Sequence, residues 1–263
     1  MIEPSFPPLF TGQDANGGDP FALACATAEA GCDAGLVIYD LAPDTLRAAI
    51  VFAPDVSLAK AAVMLPICGV GFQNALGALA PPEVGVHLDW GGTIYVNGGR
   101  CGAMQMAASG QTEDEPDWLV IDLTLSLWPV SDDTGLTPND TALYAEGCAE
   151  VDAVALLEAW VRHTLVGINA WADAGTAQLH REWSGLARGL EGEITFAGQT
   201  GTYSGLDENL GLLLKVNEKI ALVPLTVHLT RPIGNLPALY IVTKATLVCS
   251  ISQRAQANGA FRV

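Results

Sequence analysis

The stretch Val86–Ala103 constrains this chain more than any other: Val-His-Leu-Asp-Trp-Gly-Gly-Thr-Ile-Tyr-Val-Asn-Gly-Gly-Arg-Cys-Gly-Ala. A strand-like run reaches Trp90, Gly91-Gly92 turns it, and a short strand Thr93–Val96 follows. Asn97-Gly98-Gly99 then leads into a second strand that begins at Arg100. Asn-Gly between two apolar runs supplies the positive-φ residues that a two-residue hairpin loop needs, so these strands are expected to pair antiparallel.

Around this hairpin the elements alternate in kind. Phe21–Ala30 reads as a short Ala-rich helix stopped near Gly31. Strands Leu36–Tyr39 and Leu46–Phe52 are joined by Leu-Ala-Pro-Asp, with Pro43 and Asp44 at the turn. Ser57 is placed to N-cap a long apolar helix that ends before Pro81-Pro82. Residues 111–117 and 131–141 read as surface loops. Between them Trp118–Trp128 alternates, putting Leu119, Ile121, Leu123, Leu125 and Leu127 on one face of a strand. Val151, Val154, Leu157, Val161, Leu165 and Ile168 recur at helical spacing to about Ala172. A further helix over Thr176–Leu186 turns Leu179, Trp183 and Leu186 inward. The pattern then changes to short strands at Glu193–Phe196, Gly198–Gly205, Gly211–Lys215 and Ile220–Pro224, which suits a small barrel packed against the main domain.

Charge narrows the function classes. The net charge is −17, and residues 1–180 hold four bases against 23 acids. Nucleic-acid binding rests on Lys and Arg neutralising phosphates, so it is not expected. The same scarcity leaves few donors for the phosphates of ATP. The six cysteines show no C-x-x-C spacing and sit among small apolar neighbours, as expected of buried free thiols in a reducing, cytoplasmic setting. The first ten residues have neither a basic region nor a continuous apolar one, so no signal peptide is expected. Ala61–Ala80 runs twenty residues without a charge, yet it holds Pro66, Gln73, Asn74 and three glycines. A buried helix explains it better than a membrane span. Gly69-Val70-Gly71 lacks the strand and third glycine of a dinucleotide fingerprint, and the four histidines are scattered without ligand partners.

The hairpin resembles the signature of the biotin/lipoate protein ligases, in which Lys-Trp-Pro-Asn-Asp precedes a hairpin and a catalytic Lys follows ten residues after the Trp. Here Arg100 stands ten residues after Trp90. A second resemblance lies in Arg181-Glu182-Trp183, Thr200–Asp207 and Gly211–Leu214, which is similar to the family's C-terminal barrel pattern. The resemblance covers roughly residues 20–225 and implies an α+β fold: a ligase-like mixed β-sheet backed by helices, with a small C-terminal SH3-like β-barrel. The implied organisation is an extended lead-in over 1–20, a ligase-like domain over 21–187, the small domain over 188–230 and an extension of unassigned role over 231–263.

The chemistry departs from the family. Arg100 keeps a positive charge where the family has a lysine, but as a planar fork suited to bidentate contact. Gly92 and Thr93 replace the family's Asn and Asp, and Asp89 stands where a Lys is usual. Asp122-Leu123-Thr124-Leu125-Ser126 takes the place of Gly-x-Gly-Ile-Asn, leaving Ser126 as a weak polar replacement. Only Leu41-Ala42-Pro43-Asp44 occupies the position of the Gly-Arg-Gly-Arg-x-Gly loop that closes over biotinyl adenylate. Arg100 is accordingly the catalytic candidate, with Trp90, Gly91, Gly92, Thr93, Gly102 and Ser126 as ligand-binding candidates and no metal ligand. The expectation is a non-catalytic binder of a small acyl ligand (biotin, lipoate or octanoate class) or of a carrier domain. The alternative is a divergent ligase that attaches such an acid to a carrier lysine, and ATP and Mg²⁺ enter only on that alternative. No nucleic-acid or membrane partner is expected, and dimerisation through sheet edges is a further implication of the family.

Overall fold

The computed structural model describes residues 3–112, 114–129, 137–196 and 198–230. Strand β1 (Thr11–Asp14) leads to helix α1 (Pro20–Glu29), the hairpin β2 (Leu36–Leu41) and β3 (Thr45–Phe52), and helices α2 (Leu58–Ala61) and α3 (Met64–Leu79). Then come β4 (Val86–Leu88), β5 (Thr93–Val96), β6 (Gly99–Ala108) and β7 (Leu119–Ser126). Helices α4 (Ala153–Ala174) and α5 (Ala177–Leu186) precede β8 (Glu193–Phe196), β9 (Gln199–Leu206), β10 (Leu212–Val216) and β11 (Lys219–Val223). The first seven strands form one mixed sheet in the order β1-β2-β3-β7-β6-β5-β4, and the last four an antiparallel sheet in the order β11-β10-β9-β8. The fold is α+β, as the sequence implies. Where a small barrel is expected, the chain builds this four-stranded sheet.

Strand alternation gives the large sheet two unlike faces. Val37, Tyr39, Leu46, Ala48, Ile50, Met104, Met106, Leu119, Ile121, Leu123 and Leu125 point to the main core, with α3, α4 and the inner side of the small sheet. Ile38, Ala49, Val51, Ala107 and Val120 point the other way, under Ala24, Cys25 and Ala28 of α1. Asp19 caps α1 by accepting from the Phe21 amide, and Pro20 begins the helix with its φ already set. α3 and α4 cross closely because glycine faces the partner at two points. A Cβ on Gly71 would lie 2.9 Å from Thr164 Oγ1, and one on Gly167 2.9 Å from Ile67 Cγ2.

The apolar segment is not one helix. It breaks between Ala61 and Met64, because Pro66 lacks an N–H and its ring excludes the carbonyl four residues back, at Ala62. Leu65 N–H bonds Ala62 O instead, at 3.1 Å, tightening the turn. Ser57 precedes α2, but its side chain makes no capping bond. Residues Met64–Phe72 are buried throughout, so this apolar stretch is core. β1 falls within the stretch read as a lead-in. All four of its residues are exposed, and it adds to β2 in parallel. The expected strands at Leu239–Val242 and Thr246–Ile251 lie outside the described residues.

Candidate functional site

The hairpin forms as its sequence demands, with Asn97 and Gly98 at φ 48° and 94°. Opposite the β5 step Ile94–Tyr95, β6 carries one extra residue. Ile94 pairs with Gly102 and Tyr95 with Arg100, leaving Cys101 as the bulge. The bulge turns Arg100 to the same sheet face as Tyr95 and Thr93, while Gly102 keeps the parity of Met104 on the core side. A Cβ on Gly102 would meet Thr124 O at 2.4 Å, so glycine there answers to strand packing.

The ligand-binding candidates separate into two places. Trp90 is buried, donates its indole N–H to Leu210 O at 2.8 Å, and packs edge-on against Phe196 and His228, with centroids 5.1 and 4.4 Å away. Gly91 lies against His228 and Asp89. Gly92 has φ +90°, and a Cβ there would sit 2.8 Å from Met104 O. Trp90 and Gly92 line a cavity of about 20 Å³ together with Leu65, Leu88, Met104 and Leu225. That space holds about one water molecule and no acyl chain.

Thr93, Arg100 and Ser126 belong to the other face of the sheet. Beyond the cover of α1, this face carries the cross-strand row Asp40, Arg47, Thr124, Ala103 and Thr93. The next row holds Ala49, Asp122 and Gln105. Arg47 Nη2 bonds Asp40 Oδ2 at 2.6 Å and Gly18 O at 3.1 Å. Arg100 bonds Asp140 Oδ1 at 2.6 Å, with both side chains about one-third exposed. Arg188, on a segment that bridges to the β4 edge at Leu88, lies 4.5 Å over the Tyr95 ring. Burial raises the Tyr95 hydroxyl above its usual pKa and Asp89 adds to the rise, while Arg188 and Arg100 oppose it. Asp122 is 3 % exposed, accepts from Thr124 Oγ1 at 3.3 Å, and is pushed up to about 8 by burial and then by Asp19.

Asp40 and Arg47 of this face lie outside every motif position, and Asp122 and Thr124 fall in the stretch that takes the place of Gly-x-Gly-Ile-Asn without being candidates there. The signal was present: Asp122, Thr124 and Ser126 are polar at every second position of a strand whose alternate positions are core. The five described cysteines are free thiols. Burial pushes Cys25, Cys68 and Cys101 up to about 12, leaving them protonated and unsuited to nucleophilic work.

Comparison with known proteins bears on this architecture. Residues 6–185 match the model of the biotin/lipoate A/B protein ligase family. A crystal structure of a biotin protein ligase-like protein of unknown function from Silicibacter sp. TM1040 is 56 % identical, with a TM-score of 0.82 over 87 % of this chain and 100 % of that one. The biotin protein ligase of Aquifex aeolicus, in its apo structure, shares 15 % identity and a TM-score of 0.65 over 81 % of this chain and 96 % of that one. The Leishmania major biotin protein ligase in complex with biotin shares 13 % identity and a TM-score of 0.51, over 82 % and 98 %. These two distant likenesses concern the fold alone. No curated protein matches the sequence.

Proposed function

From the premise that the chain belongs to the biotin/lipoate A/B protein ligase family, we propose that it is a non-catalytic member. It binds a small acyl ligand of the biotin, lipoate or octanoate class, laid along the open sheet face, or the carrier domain that bears such a group. The observation that carries this reading is the neutralisation of the face's arginines. Arg47 and Arg100 each hold an aspartate at 2.6 Å, and Arg188 is spent on the Tyr95 ring. Acyl adenylation needs positive charge held ready for charge spreading onto phosphoryl oxygens, and an arginine already saturated by a carboxylate supplies little.

The residues present do not fit a Mg²⁺–nucleotide pair. Among the described residues no three His, Cys, Asp or Glu side chains group as a metal site. Asp122, the buried carboxyl of the face, is held toward its neutral form. The cavity beside Trp90, about 20 Å³, is too small for an acyl chain, which supports a seat on the open face.

The test is pyrophosphate release from ATP and Mg²⁺ with biotin, lipoate or octanoate, paired with calorimetric titration of each acid. The expected result is no turnover, with heat of binding for at least one acid. Turnover with any of them, lost in Arg100→Ala, would overturn the reading in favour of a divergent ligase that attaches the acid to a carrier lysine.

A further inference from the structure

An exposed aromatic corner that the acyl-binding role leaves unused stands just past the end of β7. Trp128 is 51 % exposed, and its ring meets that of the half-buried Tyr144 at 74°, with centroids 5.2 Å apart. Backbone bonds fix both residues. The Leu127 and Trp128 amides donate to Asp44 O in the β2–β3 turn, at 2.8 and 3.3 Å, and the Tyr144 amide donates to Leu127 O at 3.0 Å. Tyr144 belongs to a short 3₁₀ turn, Leu143–Glu146, so both walls of the corner are tied to one strand end. Aromatic side chains held in one geometry in this way bind a ligand at little entropic cost.

The charge around the corner is negative. Residues 101–161, which include both rings, contain no Lys, Arg or His. Asp44, whose carbonyl holds Trp128, is exposed. Asp152, also exposed, lies close enough to Tyr144 to add to the rise that burial gives its hydroxyl pKa. The electron-rich ring faces draw a cation in the same direction. The shape of the corner selects among cations. A planar guanidinium stacks on a single ring, and a primary ammonium is strongly hydrated and must shed water to reach one. A quaternary ammonium is round, presents methyl groups to both walls, and keeps its charge at every pH.

We propose that Trp128 and Tyr144 form a binding site for a small quaternary ammonium ion of the choline class, free in solution. Its methyl groups pack against the two ring faces, and the acidic surround supplies the attraction at longer range. A ligand that carries its own anionic group beside the ammonium is disfavoured by the same acids. The site uses neither Arg100 nor the Trp90 turn, so it stands or falls apart from the acyl reading.

The experiment is a proton–nitrogen correlation NMR titration of the full chain with tetramethylammonium chloride, choline chloride and phosphocholine, each against sodium chloride at matched ionic strength. The Trp128 indole N–H signal is identified by its loss in Trp128→Phe. Tetramethylammonium and choline are expected to move that signal along a saturable curve in the millimolar range. Phosphocholine, the form in which a lipid headgroup presents the same cation, is expected to bind about threefold or more weakly, because its phosphate meets the acidic surround. Trp128→Ala, followed at the Tyr144 amide, is expected to weaken choline binding about fivefold or more. A drift no larger than that with sodium chloride, equal affinity in Trp128→Ala, or phosphocholine binding as tightly as choline would overturn the proposal. Should Trp128→Ala disturb the fold, the comparison of choline with phosphocholine on the unaltered protein decides.

Discussion

Burying Asp122 with one hydroxyl partner makes its proton a component of the folded state. Its carboxyl is ordinary in the unfolded chain, near 3.8, and held near 8 when folded. The folded state therefore binds more protons between those values, and stability falls as pH rises through the window. The loss begins above about 4 and levels off above about 8. Asp122→Asn removes the titrating group while keeping its shape. Melting temperatures measured across this range are expected to show the variant gaining on the unaltered protein as pH rises. Parallel curves would show that Asp122 is ionised in the fold already.

Among the elements, those with a clean period were legible. β7 reads directly as a strand because leucines and isoleucines at every second position can bury together only in an extended chain. α4 and the Asn97-Gly98 hairpin were equally plain. β1 was not, since a four-residue edge strand with every side chain exposed leaves no alternation to read. The α2–α3 break was visible only as Pro66, whose effect depends on where the helix around it starts. The candidate site was half legible. Motif spacing led to Arg100 and Trp90, but which face each occupies turns on a one-residue bulge, and no local preference announces it. Trp90 emerges as a strut between the hairpin and the small sheet. Trp90→Phe, which keeps one aromatic ring but loses the bond to Leu210 O and part of the buried indole, is expected to cost about 1–3 kcal/mol in denaturant unfolding. An undiminished midpoint would show that the strut carries no load.

At the scale of the molecule, one sheet separates two environments. Its inner face is closed by helices and the small sheet. Among the described residues, its outer face is partly covered by a helix of ten residues. The strongly acidic composition and the pairing of Arg47 and Arg100 each with an aspartate act in the same direction, and both are expected to disfavour polyphosphates and nucleic acids. A fold can thus be kept by its core pattern while the charges on one face change the class of ligand that it tolerates.

β5 reaches only to Thr93, opposite Ala103, so among the described residues the far half of β6 has no strand on that side. Leu229 and Thr230 fill the gap, Leu229 bridging Met106 in parallel while the Thr230 amide and hydroxyl both donate to Met106 O, at 2.8 and 3.0 Å. Those two residues occupy edge positions of β6 that another strand could otherwise take. Without them, among the described residues, residues 106–108 would offer an unpaired, uncharged edge to the same edge of another molecule. Ending the chain at His228 is expected to leave the melting temperature within a few degrees while light scattering reports concentration-dependent aggregates. A truncated protein that stays monodisperse would show that the edge is protected by other means.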